Sequence, residues 1–233
     1  MMISAFLKAY RALKDEGLKD FALKSLERIK GLHLLPDGLY HTEGVRAVLD
    51  DYIYFTDALV SAYEATGNTS YIADADKLMG VCLEKFWDGN EGGFFDTDSE
   101  VLGIRLKTIE DVPHPSANAV GIILFLKLFH MTGKAEYLTY AETSLKAFSA
   151  NAKKMGIHSG YYYAALDAYF NMLTLTLHTP LQSELAETAL STFYPYKCIV
   201  YGEDKGSVLP CVGKVCYEPI TDPARLRDFL NSL

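Results

Sequence analysis

Several features that would identify a function directly are missing from this sequence. No run approaches the roughly 20 apolar residues of a membrane span, and Lys and Arg form no dense patch that would suit nucleic acid. No P-loop, dinucleotide motif or Ser-His-Asp arrangement is present. The net charge of −8 argues against polyanionic partners. We therefore expect no nucleic-acid or membrane binding and, because no basic leader or cleavage site begins the chain, a cytoplasmic location.

The four cysteines do not form a metal-binding pattern. Cys82 lies in a helical pattern and Cys198 in an apolar run, whereas four residues separate Cys211 from Cys216. A zinc knuckle has two residues between its cysteines, and no second His or Cys pair complements this one. We predict no metal and no cofactor. We interpret Cys211 and Cys216 as two separate thiols, with a structural or redox-sensitive dithiol and a metal site as the alternatives.

A repeat is the strongest pattern that the sequence does contain. The segment that ends in Thr66-Gly67 and continues to Tyr71 and Ala75 recurs 66 residues later, ending in Gly133 and continuing to Tyr137 and Ala141. A fainter copy lies 53 residues before the first, with Ala22 at the position of Ala75. Three helix pairs of one pattern predict a helical repeat array or toroid. The alternative is a chance alignment of amphipathic helices.

Helical periodicity extends over most of the chain and then gives way to alternation. The predicted helices cover 2–14, 18–30, 49–66, 69–87, 116–131 and 135–153, and a seventh begins near Ser159. A turn is predicted at 35–38, and a hairpin with strands near Phe94 and Ile104. Beyond Asn171 the pattern predicts strands at 173–177 and 198–201 and helices at 181–193 and 221–230. We predict two domains, a helical array over 1–171 and a small α/β appendage over 172–233.

Short turns alternate with long polar loops along the predicted helices. In an up-and-down array this places Gly67 and Gly133 at one end and the long loops 38–49 and 88–116 at the other. Functional residues are frequently carried by such loops.

An ordered set of motifs resembles a known family. It consists of LDDY at 49–52, YEATG at 63–67, FWD at 86–88, GGFFDT at 92–97, PSAN at 115–118 and CYEPITDP at 216–223. In this order and spacing the motifs resemble the C-terminal portion of the thioredoxin-domain-containing family related to spermatogenesis-associated protein 20, also called DUF255. The chain departs from that pattern at Ala117 and Ala119, where Gly and Ser are usual.

The resemblance implies a fold and a class of function. Members carry a thioredoxin-like domain followed by an (α/α)6 toroid similar to N-acylglucosamine 2-epimerases and six-hairpin glycosidases. The chain is then expected to be a piece of a larger whole, a mainly α partial (α/α)6 toroid of about seven of the twelve helices. The missing half implies a homo-oligomer or a separate chain that carries it.

Polar and aromatic residues gather at the predicted long-loop end. They are Asp50, Asp51, Tyr52, Phe95, Asp96, Asp111, His114, Ser116, Asn118, His158 and Tyr162. Glycoside hydrolysis needs two carboxylates, and sugar epimerisation needs an acid and a base, often histidine. Asp51, His114 and Asp111 are the candidate catalytic residues, the others candidate substrate contacts, with Tyr52 and Phe95 placed to stack on a sugar ring.

Each of these residues also has a structural interpretation. Asp50 and Ser116 suit the first turn or cap of a helix, Asp96 suits a hairpin turn, and loop histidines are usually solvated. Two functional hypotheses follow. The first is a partial toroid that acts on or binds a carbohydrate. The second is a non-catalytic interaction module that completes a toroid with a chain bearing the thioredoxin-like domain.

Overall fold

The computed structural model describes residues 1–36 and 38–233, and the chain in it is mainly helical. Asp37, within the predicted turn at 35–38, lies outside the described residues. The helices are α1 (Met2–Leu13), α2 (Glu16–His33), α3 (Leu49–Thr66), α4 (Thr69–Phe86), α5 (Ala117–Thr132), α6 (Ala135–Met155), α7 (Gly160–Asn171), α8 (Glu184–Ser191) and α9 (Pro223–Ser232). The strands are β1 (Leu34–Leu35), β2 (Gly38–Thr42), β3 (Val45–Arg46), β4 (Leu173–His178), β5 (Lys197–Tyr201), β6 (Ser207–Val212) and β7 (Val215–Cys216).

The first seven helices form two rows. Helices α1, α3, α5 and α7 pack side by side in chain order, and α2, α4 and α6 each pack on the helix that precedes them. The inner helices α3 and α5 are covered from several sides, which explains why most of their residues are buried and apolar. Helices α4 and α6 bury one stripe and expose the opposite face. A helical array is confirmed at this level of detail.

The repeat corresponds to equivalent helix ends. Helices α3 and α5 both stop at a glycine in the left-handed conformation, with φ of 69° at Gly67 and 73° at Gly133. Lys14 occupies the equivalent position after α1 and adopts the same conformation, with φ of 59°. Tyr71 and Tyr137, and likewise Ala75 and Ala141, are buried in the following helices.

Lys14 adopts a conformation that its side chain disfavours, because the left-handed region costs a non-glycine residue roughly 1–2 kcal/mol. We expect Lys14→Gly to be more stable than Lys14→Ala by about 1 kcal/mol, measured by urea unfolding. Both changes remove the exposed ion pair between Lys14 and Glu187. The difference in stability between the two variants therefore reports only the cost of the left-handed backbone conformation. Equal stability of the two variants would contradict a left-handed conformation at position 14.

The structure places the long loops together at one end. The backbone N–H of Leu49 donates to the carbonyl of Asp96 at 3.3 Å, and the N–H of Asp111 donates to the carbonyl of His158 at 2.6 Å. Gly67 lies at the opposite end, against the ring of Tyr201. The alternation of short turns and long loops along the sequence therefore predicted this arrangement correctly.

The loop at 88–116 differs from the predicted hairpin. Phe94 pairs with Trp87 in an isolated bridge and Ile104 with Val101 in a separate tight turn. The two predicted strands form no ladder, although the N–H of Asp96 donates to the carbonyl of Leu106 at 2.8 Å. The reason is the buried amide of Asn118, which binds the backbone of Phe94 and fixes it against α5. Strands β2 and β3 were not predicted from the sequence. They form a small antiparallel sheet with β1 over the start of α3.

The C-terminal region forms a four-stranded sheet of order β5-β4-β6-β7. Strands β4 and β5 are parallel and joined through α8, whereas β6 runs antiparallel to β4. The sheet has its own apolar cluster with α8 and α9, separate from the helical core. Strand β5 packs on α3 and α5, so this region is attached at the Gly67 end of the array.

Cys211 and Cys216 are opposite each other on β6 and β7 and form a disulfide. The interpretation as two separate thiols is therefore wrong, and the dithiol alternative is correct. The tight turn between the two strands, with Gly213 at φ 56°, sets both cysteines at the same register and brings their sulfur atoms together. Cys82 and Cys198 are buried free thiols.

Within the described ranges, none of the helices has the length and apolar character needed to cross a membrane. Over the same residues, no group of three or more His, Cys, Asp or Glu side chains is arranged to hold a metal ion.

Candidate functional site

A cleft of about 470 Å³ opens at the long-loop end, where the β1-β2 hairpin meets the start of α3. We call it the His114 cleft. Its lining residues are Met1, Ile3, Ile29, His33, Leu39, Tyr40, His41, Asp50, Asp51, Tyr54, Phe55, Ala58 and His114. The volume lies within the range of small-molecule sites, roughly 300–1,000 Å³.

The first turn of α3 supplies two carboxylates to this cleft. Asp51 has a structural task, because its Oδ2 accepts from the N–H of Val48 at 3.0 Å and so satisfies an unpaired donor at the helix start. Its other oxygen, Oδ1, lies 2.9 Å from Nδ1 of His41. Asp50 is not used as a cap, and its Oδ2 lies 3.6 Å from Nε2 of His114. Two adjacent carboxylates therefore each face a different imidazole.

His114 is held in one orientation by its surroundings. Its Nδ1 lies 3.0 Å from the carbonyl of Pro115 and 3.1 Å from the hydroxyl of Tyr54, which itself donates to the Pro115 carbonyl. A carbonyl can only accept, so a neutral ring carries its hydrogen on Nδ1. Nε2 then faces Asp50, and their contact is favourable when one of the two groups carries a proton. Tyr54 was not among the residues identified from the sequence, although it lies one helical turn after Asp50.

Burial and charge act differently on the two pairs. Partial burial raises the pKa of Asp50, and the neighbouring Asp51 adds to this, whereas His114 opposes it. The hydrogen bond that His41 donates to the carboxylate of Asp51, followed by the charge of that carboxylate, raises the pKa of the exposed His41. Asp50 thus holds its proton to a higher pH than an ordinary aspartate, and His41 stays cationic to a higher pH than an ordinary histidine.

The raised pKa of His41 is open to direct test. We expect the ring of His41 to titrate above the ordinary histidine value in NMR, because the carboxylate of Asp51 stabilises the cationic ring. Asp51→Asn is expected to bring the titration back toward that value, whereas Asp20→Asn on the exposed face of α2 leaves it unchanged. Folding stability from this pair is present below the unfolded pKa of histidine and is lost as the pH rises through the folded one. No response of His41 to Asp51→Asn would contradict the pairing.

Several predicted site residues lie near this end of the array but do not line the cleft. Tyr52 is buried and its ring packs edge-on against Phe86. Tyr162 is buried, and its hydroxyl donates to the carbonyl of Leu145 at 2.8 Å. Phe95 is covered by the guanidinium of Arg105, 4.1 Å from its ring centroid. The placement of Tyr52 as a stacking surface is therefore wrong, because its ring is buried in the array, whereas the stacking role of Phe95 stays a prediction.

The side chains of Asp96, Asp111 and Ser116 form hydrogen bonds with backbone N–H groups and do not face the cleft. Asp96 Oδ1 accepts from the N–H and the hydroxyl of Thr108 at 3.2 and 3.0 Å. The carboxylate of Asp111 accepts from the N–H of Ser116 at 2.9 Å and of Tyr161 at 2.8 Å, so it joins the starts of α5 and α7. Ser116 caps α5 through the N–H of Ala119. Asp111 is thus a link between two helices and not a third group at the cleft, and the ring of His158 is exposed outside it.

Asn118 fastens the loop to α5. Its amide accepts from the N–H of Phe94 at 2.7 Å and donates to the carbonyls of Phe94 and Thr108, both at 2.9 Å. We expect Asn118→Ala to destabilise the protein by about 2 kcal/mol, because buried backbone groups lose their partners. The exposed Asn90→Ala is the control and is expected to change stability by less than ~0.5 kcal/mol. Equal unfolding midpoints for the two variants would show that Asn118 does not fasten the loop to α5.

Comparisons with known proteins support the resemblance in part. No family model matches the chain. It is 26% identical over 212 residues to spermatogenesis-associated protein 20 from human and from rat, and the alignments cover 78% of this chain and 27% of each relative. The chain is thus similar in sequence to part of spermatogenesis-associated protein 20. An uncharacterized protein of Caenorhabditis elegans is 24% identical over 268 residues, covering 99% of this chain and 37% of that protein. The chain thus spans between about a quarter and two fifths of the length of these relatives.

Proposed function

We propose that the His114 cleft binds a hydroxyl-rich small molecule of the carbohydrate class and performs acid–base chemistry on it. The observation that carries this proposal is the pair of carboxylate–imidazole contacts, Asp50 with His114 and Asp51 with His41, that open side by side onto one cleft. Carboxylate oxygens and imidazole nitrogens are the groups that hydrogen-bond sugar hydroxyls and move protons near neutral pH.

The roles follow from the geometry. Asp50 and Nε2 of His114 lie 3.6 Å apart and can hold one proton between them, so the pair can give a proton to a bound sugar and take one from it. Tyr54 positions His114 through the hydrogen bonds around Nδ1. Asp51 holds His41 at the entrance, where a cationic ring can donate to a hydroxyl or carbonyl oxygen. Because Asp50 and His114 are in contact, they face a bound sugar from one side, and the chemistry they could perform is proton transfer with the hydroxyl and carbonyl oxygens on that side.

We also propose the wider setting of this site. The two rows of helices are those expected of part of an (α/α)6 toroid, in which inner helices alternate with outer ones. The relatives are considerably longer than this chain, and the remaining helices and the thioredoxin-like domain of the resemblance would lie in the part that it does not span. Similarity of fold is weaker evidence for a function than the geometry of the site itself.

Ligand-observed NMR tests the proposed function. Glucose and N-acetylglucosamine are added at millimolar concentration, and saturation transfer from the protein to the sugar is measured. We expect transfer with the wild type and its loss by at least about tenfold in Asp50→Asn and His114→Ala. Asp20→Asn, a matched change on an exposed face away from the cleft, is expected to behave as the wild type. Absence of transfer for both sugars in the wild type, or equal transfer in all variants, would contradict the proposal.

A second candidate is favoured by a different surface. Helices α1 and α2 expose Met2, Leu13, Phe21 and Leu32, each more than half accessible. Apolar side chains left in water on one flank are the mark of an interface. We propose that this flank packs on further helices, from a second copy or from a chain that carries the missing part. Light scattering separates the outcomes: a mass well above 25.9 kDa supports self-association, and a stable monomer at micromolar concentration contradicts it.

A further inference from the structure

A second cavity, of about 460 Å³, lies at the junction of the helical array and the C-terminal region. Its walls are the faces of α1, α3, α5 and α7 together with the segment 190–197 that leads into β5. It shares no lining residue with the His114 cleft. We call it the basic pocket, because four basic side chains line it, namely Lys8, Arg11, Lys127 and Lys197.

The charges around the basic pocket do not balance. Glu64, which is completely buried behind the wall, pairs with Lys127 at 2.7 Å and with Arg11 at 3.4 Å. Asp57 is the acidic residue on the wall itself. Burial lowers the pKa of Lys197 to about 7, so the positive charge at the pocket comes mainly from Lys8, Arg11 and Lys127, which outnumber these two carboxylates. This excess of positive charge occurs in a chain whose net charge is −8.

Three of the four basic groups retain hydrogen-bond capacity for a ligand. The ammonium of Lys197 is fully used, because it donates to the carbonyls of Ala189, Leu190 and Thr192 at 2.8, 2.9 and 2.5 Å. Lys127 and Arg11 have three and five N–H donors respectively, and each contributes one nitrogen contact to Glu64. Within the described part of the chain, Lys8 has no ion-pair partner.

The rest of the wall is apolar. Val120 and Ile123 of α5, with Phe193 and Pro195 of the 190–197 segment, line the pocket beside the basic groups. Phe193 is 84% accessible and would be covered by a ligand. Mostly apolar walls with a few converging polar groups are the composition of small-molecule sites.

We propose that the basic pocket binds a small amphipathic anion, with a carboxylate or phosphate monoester held near Lys8, Arg11 and Lys127 and an apolar body against Val120, Ile123 and Phe193. A guanidinium and ammonium groups suit both kinds of headgroup. The pocket is enclosed by two parts of the fold at once, so the bound anion bridges the helical array and the C-terminal region.

Calorimetric titration with octanoate, octyl phosphate and neutral octan-1-ol tests this assignment. We expect at least one of the two anions to bind about tenfold or more tightly than octan-1-ol. A preference for octanoate or for octyl phosphate tells which headgroup the pocket suits. Octan-1-ol binding as tightly as both anions, or no binding of either anion, would overturn the proposal.

Variants locate the binding. Lys8→Glu reverses an exposed charge at the pocket and is expected to weaken anion binding about fivefold or more, whereas Lys146→Glu makes the same change on the exposed face of α6 and leaves binding unchanged. Ala164→Phe, at a half-buried position on α7 that lines the pocket, is expected to abolish binding by filling it. Anion binding that is unaffected by Lys8→Glu and by Ala164→Phe would contradict the site, and the Lys8 result stands if Ala164→Phe does not fold.

Discussion

Glu64→Gln is expected to lower the free energy of unfolding by about 3–5 kcal/mol, the cost of removing one partner from a buried ion pair. Glu64 is completely buried, and its carboxylate forms ion pairs with Lys127 and Arg11, whose side chains are nearly buried as well. Its Oε1 also accepts from the N–H of Ile199 in β5 at 3.4 Å. The neutral amide would leave two cations facing each other between the helices and the C-terminal sheet.

The pH dependence of this cluster has a definite sign. Burial alone raises the pKa of Glu64, but Lys127 and then Arg11 outweigh it and hold the pKa below its usual range. A carboxyl whose folded pKa is lowered contributes stability above its unfolded pKa, about 4.3, and loses it as the pH falls through the folded value. The difference between the wild type and Glu64→Gln should therefore shrink in acid.

Urea unfolding at pH 7 and in acid measures both effects. Glu16→Gln is the control, because Glu16 forms an exposed ion pair with Lys19 one turn along α2 and such pairs contribute about 0–1 kcal/mol. A loss below ~1 kcal/mol for Glu64→Gln at pH 7 would show that the buried cluster does not hold the two parts of the fold together.

Phe125→Ala is expected to cost about 3–5 kcal/mol, as large-to-small changes of buried aromatic residues do. The Phe125 ring is fully buried, with the rings of Trp87, Phe94, Tyr137 and Tyr140 all within 6.1 Å of it, centroid to centroid. Removal of this ring leaves a cavity and deprives four others of contacts. Two of the four, Trp87 and Phe94, begin the long loop that carries His114.

The control for this change is Phe170→Ala on α7, whose ring is 63% accessible. We expect it to cost less than ~1 kcal/mol, because little apolar surface is lost from the core. Thermal and urea unfolding of both variants provide the comparison. Similar losses for Phe125→Ala and Phe170→Ala would contradict the position of Phe125 at the centre of the core.

The helices could be predicted because their sequence determinants are local. Helix α3 begins and ends as predicted, at Leu49 and Thr66, since Gly67 supplies the left-handed cap. Ser116 caps α5, also as expected, and Asn68 caps α4 through the N–H of Ser70. The short strands β2, β3, β6 and β7 were missed because their pairing depends on residues that come together only in the folded chain.

The candidate site was only partly predictable, for a related reason. Asp50, Asp51 and His114 do share a cleft, because two consecutive residues in the first turn of α3 reach the same loop end. Asp111 and Asn118 looked equally available in the sequence, yet backbone N–H and carbonyl groups occupy their side chains. Which polar residue is consumed by the backbone depends on the path of the loop at 88–116, and no periodic pattern describes that path.

The basic pocket could not be foreseen at all. Its walls come from α1, α3, α5, α7 and the segment 190–197, which are far apart in the chain. Lysines such as Lys127 and Lys8 have the appearance of solvated helix residues when only periodicity is considered. Their meeting at one cavity results from the docking of β5 onto the inner helices.

The most direct test of the central claim is the NMR response of the histidine rings to a sugar. With selectively labelled histidine, N-acetylglucosamine is titrated into the wild type while the ring resonances of His41, His114 and His130 are followed. We predict saturable shifts of His41 and His114, with one common dissociation constant, and no shift of His130 in the last turn of α5. Shifts that are absent from His114, or that are as large at His130 as at His114, would contradict a carbohydrate site in the His114 cleft.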